Sequence, residues 1–445
     1  MDEIKIEIPP KLLPVFDGEA DVRGAYGGRG SGKTRTFAKL TAIRAHMWDM
    51  AGRHGIILCG RQFQNSLEDS SLEEIKSSIR DEPWLEPHFD IGERYVRTKS
   101  GRISYSFTGL DRNIDSIKSK SRILLCWVDE AEPVDEEAWI KLIPTLREED
   151  SELWVTWNPE SKYSATHLRF RESRADDRVK IAEINWRDNP WFPKILERQR
   201  QRDFLDRPKT YDHIWEGNFA EWYEGAYYTE QLNQAREDGR ITNISPDPDL
   251  PINTVWDLGI GDSTAIWFWQ VVGKEIRVID YFETHSQPLS YYEALISKRR
   301  EGFEPGDDWV PHDAKVRELG TGRTRVETMR GLGLSPRLVP NHYVEDGINA
   351  VRETIQYCHF DATKCGYGID QLRKYRAERD KNKEGAWKPK PVHGPESHGA
   401  DAFRYLAMAW RELNPEPETK DVMAELLRKP TINDLMEELD YEDSY

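Results

Sequence analysis

Gly27-Gly28-Arg29-Gly30-Ser31-Gly32-Lys33-Thr34 fills every fixed position of the pattern G-x-x-x-x-G-K-[ST]. The spacing has a chemical purpose. Glycines let successive backbone N–H groups turn inward around phosphate oxygens, and a following helix N-terminus adds partial positive charge. Lys33 is placed to reach the β- and γ-phosphates of ATP, and Thr34 to ligate Mg²⁺. The run Val22 to Tyr26 before the motif reads as a strand and the run from Thr36 onward as a helix, the setting the motif requires. Arg29 inside the loop has two readings that the sequence leaves open. It reaches the γ-phosphate as a cis arginine finger, or it pairs with an acid structurally.

Further along, the apolar run Ile123 to Val128 ends in Asp129-Glu130. A buried strand that delivers two acids to a phosphate loop completes a nucleotide-hydrolysing site. Asp129 would hold Mg²⁺ through water, and Glu130 would orient and deprotonate the attacking water. A third run, Leu153 to Trp157, ends at Asn158-Pro159. Thr156 and Asn158 are candidates for sensing the γ-phosphate, with Asn-Pro turn chemistry as the plainer account. Arg61 and Arg122 lie where a finger would reach a neighbouring subunit's nucleotide, although a surface arginine is more often simply solvated.

A second constellation is made of carboxylates. Asp257 sits in the apolar strand Thr254-Val255-Trp256-Asp257, where an unpaired carboxylate is expensive and a partner or cation is expected. Asp313 follows Trp309-Val310-Pro311-His312. Asp401 is expected to open a helix over 402–410, after a turn at His398-Gly399-Ala400. A strand acid, a strand-end acid and a helix-start acid resemble the RNase H-like nuclease arrangement. Three such acids converge on two Mg²⁺ or Mn²⁺ ions, which activate water and stabilise the leaving oxygen of a phosphodiester. Hard oxygen ligands suit these metals and not zinc. Asp262 and Glu283 are second-tier candidates for the same site. Lys315, Arg317, Arg323, Arg325 and Arg330 surround Gly320-Thr321-Gly322, and Lys388 and Lys390 precede Asp401 with His393. Either group would grip a DNA backbone or form an ordinary solvated face.

These residues need elements to position them. From 21 to about 170, short apolar runs alternate with helical patterns, which predicts a parallel α/β sheet. The stretch 171–235 is polar and helix-rich, with few strand signals. Three prolines within 241–253 mark a boundary. From 254, three strands joined by tight turns open a second domain, which ends in the helix carrying Asp401. The expected division is 1–170, a P-loop (RecA/ASCE-like) ATPase core; 171–250, a linker subdomain and interdomain linker; 251–412, an RNase H-like nuclease domain; and 413–445, an acidic tail. Within 415–445, ten acidic residues face three basic ones, a pattern for a mobile tail that docks on a partner.

At 445 residues the chain supports sizeable cores without staples. Cys59, Cys126, Cys358 and Cys365 form neither a disulfide framework nor a zinc spacing. No apolar run approaches a membrane span, and the N-terminus predicts no secretory leader. A net charge of −17 argues against a passive coat on nucleic acid but not against a nucleic-acid enzyme with local basic patches.

A P-loop ATPase followed by an RNase H-like nuclease resembles the large terminase subunit of tailed double-stranded DNA phages, over nearly all of 20–412. The motifs that carry the resemblance are GGRGSGKT with its third-position arginine, Val128-Asp129-Glu130-Ala131, Trp157-Asn158-Pro159, Trp256-Asp257-Leu258-Gly259, His312-Asp313-Ala314 and His398-Gly399-Ala400-Asp401-Ala402. The resemblance implies an ATP-driven motor that moves double-stranded DNA into a procapsid and cuts concatemers. It implies the portal protein and a small terminase subunit as partners. It also implies a homo-oligomeric ring on the portal, with a monomer in solution as the alternative state, and the cytoplasm of an infected host as location. The stretch 171–235 would be a linker subdomain and the acidic tail a portal contact. The rival functions are a helicase-nuclease of repair, which would need further helicase motifs and a second RecA-like lobe, and a regulatory P-loop protein with a non-catalytic clamp. Glu130 and the three aspartates argue against the second.

Overall fold

A computed structural model describes residues 5–62, 67–110, 117, 122–259, 263–317, 322–379 and 387–414. Asp262, Gly320, Thr321 and the tail 415–445 therefore lie outside the described residues. The chain divides into two units, Met1–Tyr223 and Glu224–Tyr445.

The first unit is built on an eight-stranded sheet. Its strands are β1 (Val22–Tyr26), β2 (Gly55–Arg61), β3 (Phe89–Ile91), β4 (Val96–Thr98), β5 (Ile103–Gly109), β6 (Ile123–Val128), β7 (Glu152–Trp157) and β8 (Val179–Glu183). The spatial order is β3-β4-β5-β2-β6-β7-β1-β8. Strands from β5 to β8 run parallel, and β3 and β4 close one edge antiparallel. Every residue of β6 and β7 is buried. That explains their unbroken apolar runs: a central parallel strand is covered on both faces. One face packs Trp127 and Trp154 against Phe37 of the helix Lys33–Met50. The other packs Val128 and Trp157 against Trp139 and Phe170. Arg23 of β1, only 1% exposed, ties β1 to β7 through a two-bond fork on Glu152.

Sequence reading placed few strand signals in 171–235, yet β8 lies there and pairs with β1 along its length. None of its residues is fully buried, so an edge strand of this kind leaves no apolar run to read. The stretch 171–250 is shared between the units: β8 and the helices Lys194–Asp206 and Pro208–Glu216 belong to the first, and the helix Thr229–Glu237 to the second.

The second unit carries a seven-stranded sheet of β9 (Ile241–Thr242), β10 (Ile252–Asp257), β11 (Ser263–Val272), β12 (Glu275–His285), β13 (Pro305–Val310), β14 (Pro336–Leu338) and β15 (Cys358–Asp361), in the order β14-β13-β10-β11-β12-β15-β9. The meander β10–β11–β12 is antiparallel, and β13 and β14 add parallel beside β10. This is the RNase H-like arrangement expected of the carboxylate order. A hairpin of β16 (Ala377–Arg379) and β17 (Trp387–Pro391) stands apart from the sheet. The helix Pro395–Leu413 buries Ala400, Phe403, Leu406 and Ala407 in a core with Val255 and Trp267.

That helix corrects one expectation. His398-Gly399-Ala400 is not a turn, and Asp401 does not open the helix. Helix begins at Pro395, whose fixed φ suits the first turn. Gly399 reads as a break but serves close packing: a Cβ there would stand 2.6 Å from the Tyr281 hydroxyl. Its carbonyl accepts the Trp267 indole N–H at 2.8 Å.

All four cysteines are free and buried. Among the described residues no helix is long and apolar enough to cross a membrane.

Candidate functional site

The phosphate loop leaves β1 and enters the helix Lys33–Met50 as the motif requires. Gly27, Gly30 and Gly32 take φ of 139°, 72° and 81°, values open to glycine and rarely to other residues. The Lys33 ammonium folds back into the loop and donates to the carbonyls of Gly27 at 2.8 Å and Gly28 at 2.9 Å, and to Ser31 Oγ at 3.0 Å. Burial pushes its pKa down to about 7, with the charge of Asp129 opposing. A buried ammonium ringed by neutral acceptors is a site short of negative charge, which fits polyphosphate.

Two later segments grip the loop. Asn185 Oδ1 accepts the Gly28 N–H at 2.7 Å, and the Ile214 carbonyl accepts the Arg29 N–H at 2.7 Å. Asn189 Nδ2 donates to the Gly30 carbonyl at 2.8 Å. Arg29 itself is exposed.

Below the loop, β6 delivers Asp129 into a buried network. Its Oδ1 accepts from Thr156 Oγ1 at 2.7 Å and lies 3.3 Å from Thr34 Oγ1. Its Oδ2 accepts Arg61 Nη2 at 2.7 Å. The same guanidinium reaches Glu130 Oε2 at 3.0 Å. Glu130 has φ of 51° and a side chain 68% exposed. A bulky residue in the left-handed region is uncommon and is held by its surroundings. Lys33, Thr34, Asp129, Glu130 and Thr156 are thus brought together, while Asn158 lies just beyond the end of β7.

The two other arginines land differently. Arg61 is turned inward, so it serves its own unit's acids and does not present a free head to a neighbour. Arg122 is exposed at the opposite end of β6 from Asp129, roughly 20 Å away at the rise of an extended strand.

Glu132 had no assigned role in the sequence reading. Its Oε1 accepts the backbone N–H groups of Glu160 and Ser161, both at 2.8 Å. Burial pushes its pKa up to about 7, with those N–H donors opposing and the charge of Glu160 adding to the rise. A glutamate in an acidic turn gives no signal of this in sequence.

In the second unit, Asp257 at the end of β10 faces His398 Nδ1 at 3.5 Å. Burial holds its carboxyl above the usual range, with His398 pulling the other way and Asp401 adding to the rise. Glu283 of β12 is raised for the same first reason, and Tyr281 donates to its Oε2 at 2.5 Å. Asp401 Oδ1 accepts from Arg404 Nη2 at 2.8 Å and from the Tyr375 hydroxyl at 3.0 Å. Burial raises the pKa of the Tyr405 hydroxyl, and the charges of Asp257, Asp401 and Asp313 each push it further. The charges of all three expected acids thus act on one tyrosine hydroxyl, with Asp313 exposed in the one-turn helix His312–Lys315.

Among the described residues no group of three or more His, Cys, Asp or Glu side chains is arranged to hold a metal. Asp401 is instead turned toward Arg404 and Tyr375. The donor set still fits a hard divalent cation, because Asp257 and Glu283 are oxygen ligands whose burial leaves them short of positive charge. His398, Tyr375, Arg404 and Tyr405 were missed as site residues. His398, Asp401 and Arg404 follow a three-residue spacing that places them on one helix face, which was the available signal.

Residues 19–218 match the family described as phage terminase large subunit. No curated protein matches the chain. Among solved structures, the large terminase of a thermophilic bacteriophage is 16% identical, with 90% of this chain and 96% of that chain covered and a TM-score of 0.40. The HK97 bacteriophage large terminase is 13% identical, with 91% and 95% covered and a TM-score of 0.44. The nuclease domain of the bacteriophage SPP1 large terminase, with bound Mn, is 17% identical, with 35% and 84% covered and a TM-score of 0.28.

Proposed function

We propose, for a chain whose residues 19–218 match the phage terminase large subunit family, that it hydrolyses ATP to drive double-stranded DNA into a procapsid and cuts that DNA with its second unit. The observation that carries the reading is the meeting of Thr34, Thr156 and Arg61 on the Asp129 carboxylate beneath the phosphate loop.

In the first unit, the backbone of Gly30 to Thr34 and the helix start behind it would bind the β- and γ-phosphates. Lys33 would exchange its loop carbonyls for phosphate oxygens. Thr34 and Asp129 would hold Mg²⁺, which when bound neutralises charge developing on the phosphates. Glu130 would take a proton from the attacking water at its carboxylate oxygen. Thr156 keeps the Asp129 carboxylate oriented. Asn158 remains the candidate for sensing the γ-phosphate, and Arg29, exposed at the loop, the candidate cis finger.

In the second unit, Asp257, Asp313 and Asp401 would hold Mg²⁺ or Mn²⁺, with Glu283 beside Asp257. Such a pair of ions supplies an activated water and stabilises the leaving oxygen. Arg404 and Tyr375 orient Asp401, and His398 lies beside Asp257. Arg317, Arg323 and Arg325 would contact the DNA backbone.

The partners in this reading are double-stranded DNA, the portal protein, a small terminase subunit and further copies of the chain in a ring, within the host cytoplasm. The test is supercoiled plasmid incubated with Mg²⁺ or Mn²⁺, run with wild type, Asp257→Ala and Asp401→Ala, beside an ATP turnover assay of wild type and Glu130→Ala. Metal-dependent cutting by wild type alone, and turnover lost in Glu130→Ala with nucleotide still bound, are the expected results. Cutting that persists in both aspartate variants would refute the nuclease assignment.

A further inference from the structure

Glu132 closes a ring of hydrogen bonds around the first unit's site. From the acids at 129–130 the chain passes to Ala131, whose N–H donates to the Thr156 carbonyl at 3.0 Å. The Glu132 carboxylate then holds the N–H groups of Glu160 and Ser161 at 2.8 Å each. The carbonyl of that same Glu160 accepts the Ala220 N–H at 2.9 Å. Upstream of Ala220, Gly217 packs so tightly on the phosphate loop that a Cβ on it would stand 2.5 Å from Gly27 Cα. The Ile214 carbonyl holds the Arg29 N–H. The ring thus runs from the acids through Glu132 and Glu160 to residues 214–220 and back to the phosphate loop. Three residues past Ala220, at Tyr223, the chain leaves the first unit.

Within this ring, the Glu132 side chain joins the acidic turn to the Glu160 and Ser161 amides of the loop after β7, beside the Thr166 hydroxyl, which donates to the Ala131 carbonyl. A carboxylate accepting two backbone N–H groups is a strong, geometrically fixed joint. It is also costly to leave half-made in an enclosed place, so the two loops are expected to move as one body. Coupling between sites is carried by elements that two ligands bias together. Here the acids would respond to bound nucleotide, and residues 220–223 are the last of the first unit.

We propose that Glu132 is a positioning residue that makes the chain leaving the first unit follow the state of the nucleotide site. The inference rests on the reading of residues 27–34 and 129–130 as that site. Arg29 and Gly27 of the phosphate loop supply a second contact to residues 214–217, so the signature of Glu132 is confined to the Ala220 amide.

Hydrogen exchange of the full chain, with and without ADP and Mg²⁺, is the test. Wild type should show exchange at Ala220 that changes at least about five-fold on nucleotide binding. Glu132→Ala should bind ADP within about three-fold of wild type yet lose that response, and also lose any acceleration of ATP turnover by DNA. Glu132→Gln keeps the acceptor oxygen and should restore both, a rescue that a merely structural role in folding does not demand. If the alanine variant does not fold, Glu132→Asp retains the charge, withdraws it by one methylene, and is read in the same way. A nucleotide response at Ala220 that survives in folded Glu132→Ala or Glu132→Asp overturns the inference. So does a wild type that binds and hydrolyses ATP with no response there. A wild type that binds no nucleotide removes the proposed function and this inference together.

Discussion

Arg61 and Asp129 meet at 2.7 Å with side chains only 7% and 3% exposed. The pair joins β2 to β6 at the point where the acids enter the site. Removing one partner of a buried pair strands the other charge and costs about 3–5 kcal/mol. Arg61→Ala is therefore expected to destabilise the first unit by about that amount. Arg61→Lys should recover only part, because one ammonium nitrogen does not reproduce the two separate guanidinium nitrogens that reach Asp129 and Glu130. Urea unfolding of the full chain, followed at the transition that ADP and Mg²⁺ displace, measures this. A loss under about 1 kcal/mol in the alanine variant would show that Asp129 does not depend on this cation.

Lys33→Ala removes the buried ammonium while leaving the loop's glycines in place. Nucleotide affinity should fall at least about 100-fold, near 3 kcal/mol, and ATP turnover should vanish. Metal-dependent cutting by the second unit should continue, since its acids lie entirely within Glu224–Tyr445. Equilibrium binding of a fluorescent ADP analogue, beside a plasmid-cutting assay of the same preparation, reports both. Loss of cutting together with binding would contradict separable sites.

The legible parts of this molecule are those whose chemistry is local in sequence. Gly27 to Thr34 declare a phosphate loop because eight consecutive residues do the work. Asp129 is legible because the unbroken apolar run of β6 ends at it. Arg61 reads in sequence as either a finger or a solvated arginine, because its partners Asp129 and Glu130 follow β6, next to β2 in the sheet but far away in the chain. Nothing in the sequence around Glu132 singles it out. Only the return of the chain after β7 brings two N–H groups to it. Gly399 misled in the opposite sense: glycine usually signals a break, and here it admits Tyr281 against an unbroken helix. The RNase H-like order of the second unit was readable from its strands, whereas the turn of Asp401 toward Arg404 and Tyr375 needed coordinates.

Asp401 shares one carboxylate oxygen between Arg404 and Tyr375. Asp401→Asn keeps the shape and removes the charge, so plasmid cutting should drop at least about 100-fold while ATP turnover is unchanged. Tyr375→Phe loses one hydrogen bond to the charged carboxylate, worth about 1.5–3 kcal/mol, but Arg404 still holds the same oxygen, so cutting should slow by less than about ten-fold. The comparison is made by initial cutting rates across a Mn²⁺ titration. Equal rates for wild type and Asp401→Asn would remove this residue from the metal set. A Tyr375→Phe effect as large as that of Asp401→Asn would place the hydroxyl itself at the chemistry.

Glu132 supplies a pH dependence with a definite sign. Burial raises its pKa from the ordinary 4.5 to about 7, so the folded chain binds this proton more tightly than the unfolded one. A group raised in this way costs stability as pH climbs from the unfolded value to the folded one, and the whole cost is present above both. The shift corresponds to about 3 kcal/mol. Glu132→Gln cannot titrate. Its stability relative to wild type should therefore rise between pH 4.5 and 7 by about 2–3 kcal/mol and stay level above pH 8. Urea unfolding of both proteins at pH 5 and pH 8 checks it. A difference that does not change with pH would mean that the carboxylate is already charged in the folded protein at pH 5. The two backbone N–H donors from Glu160 and Ser161 would then outweigh burial at this residue.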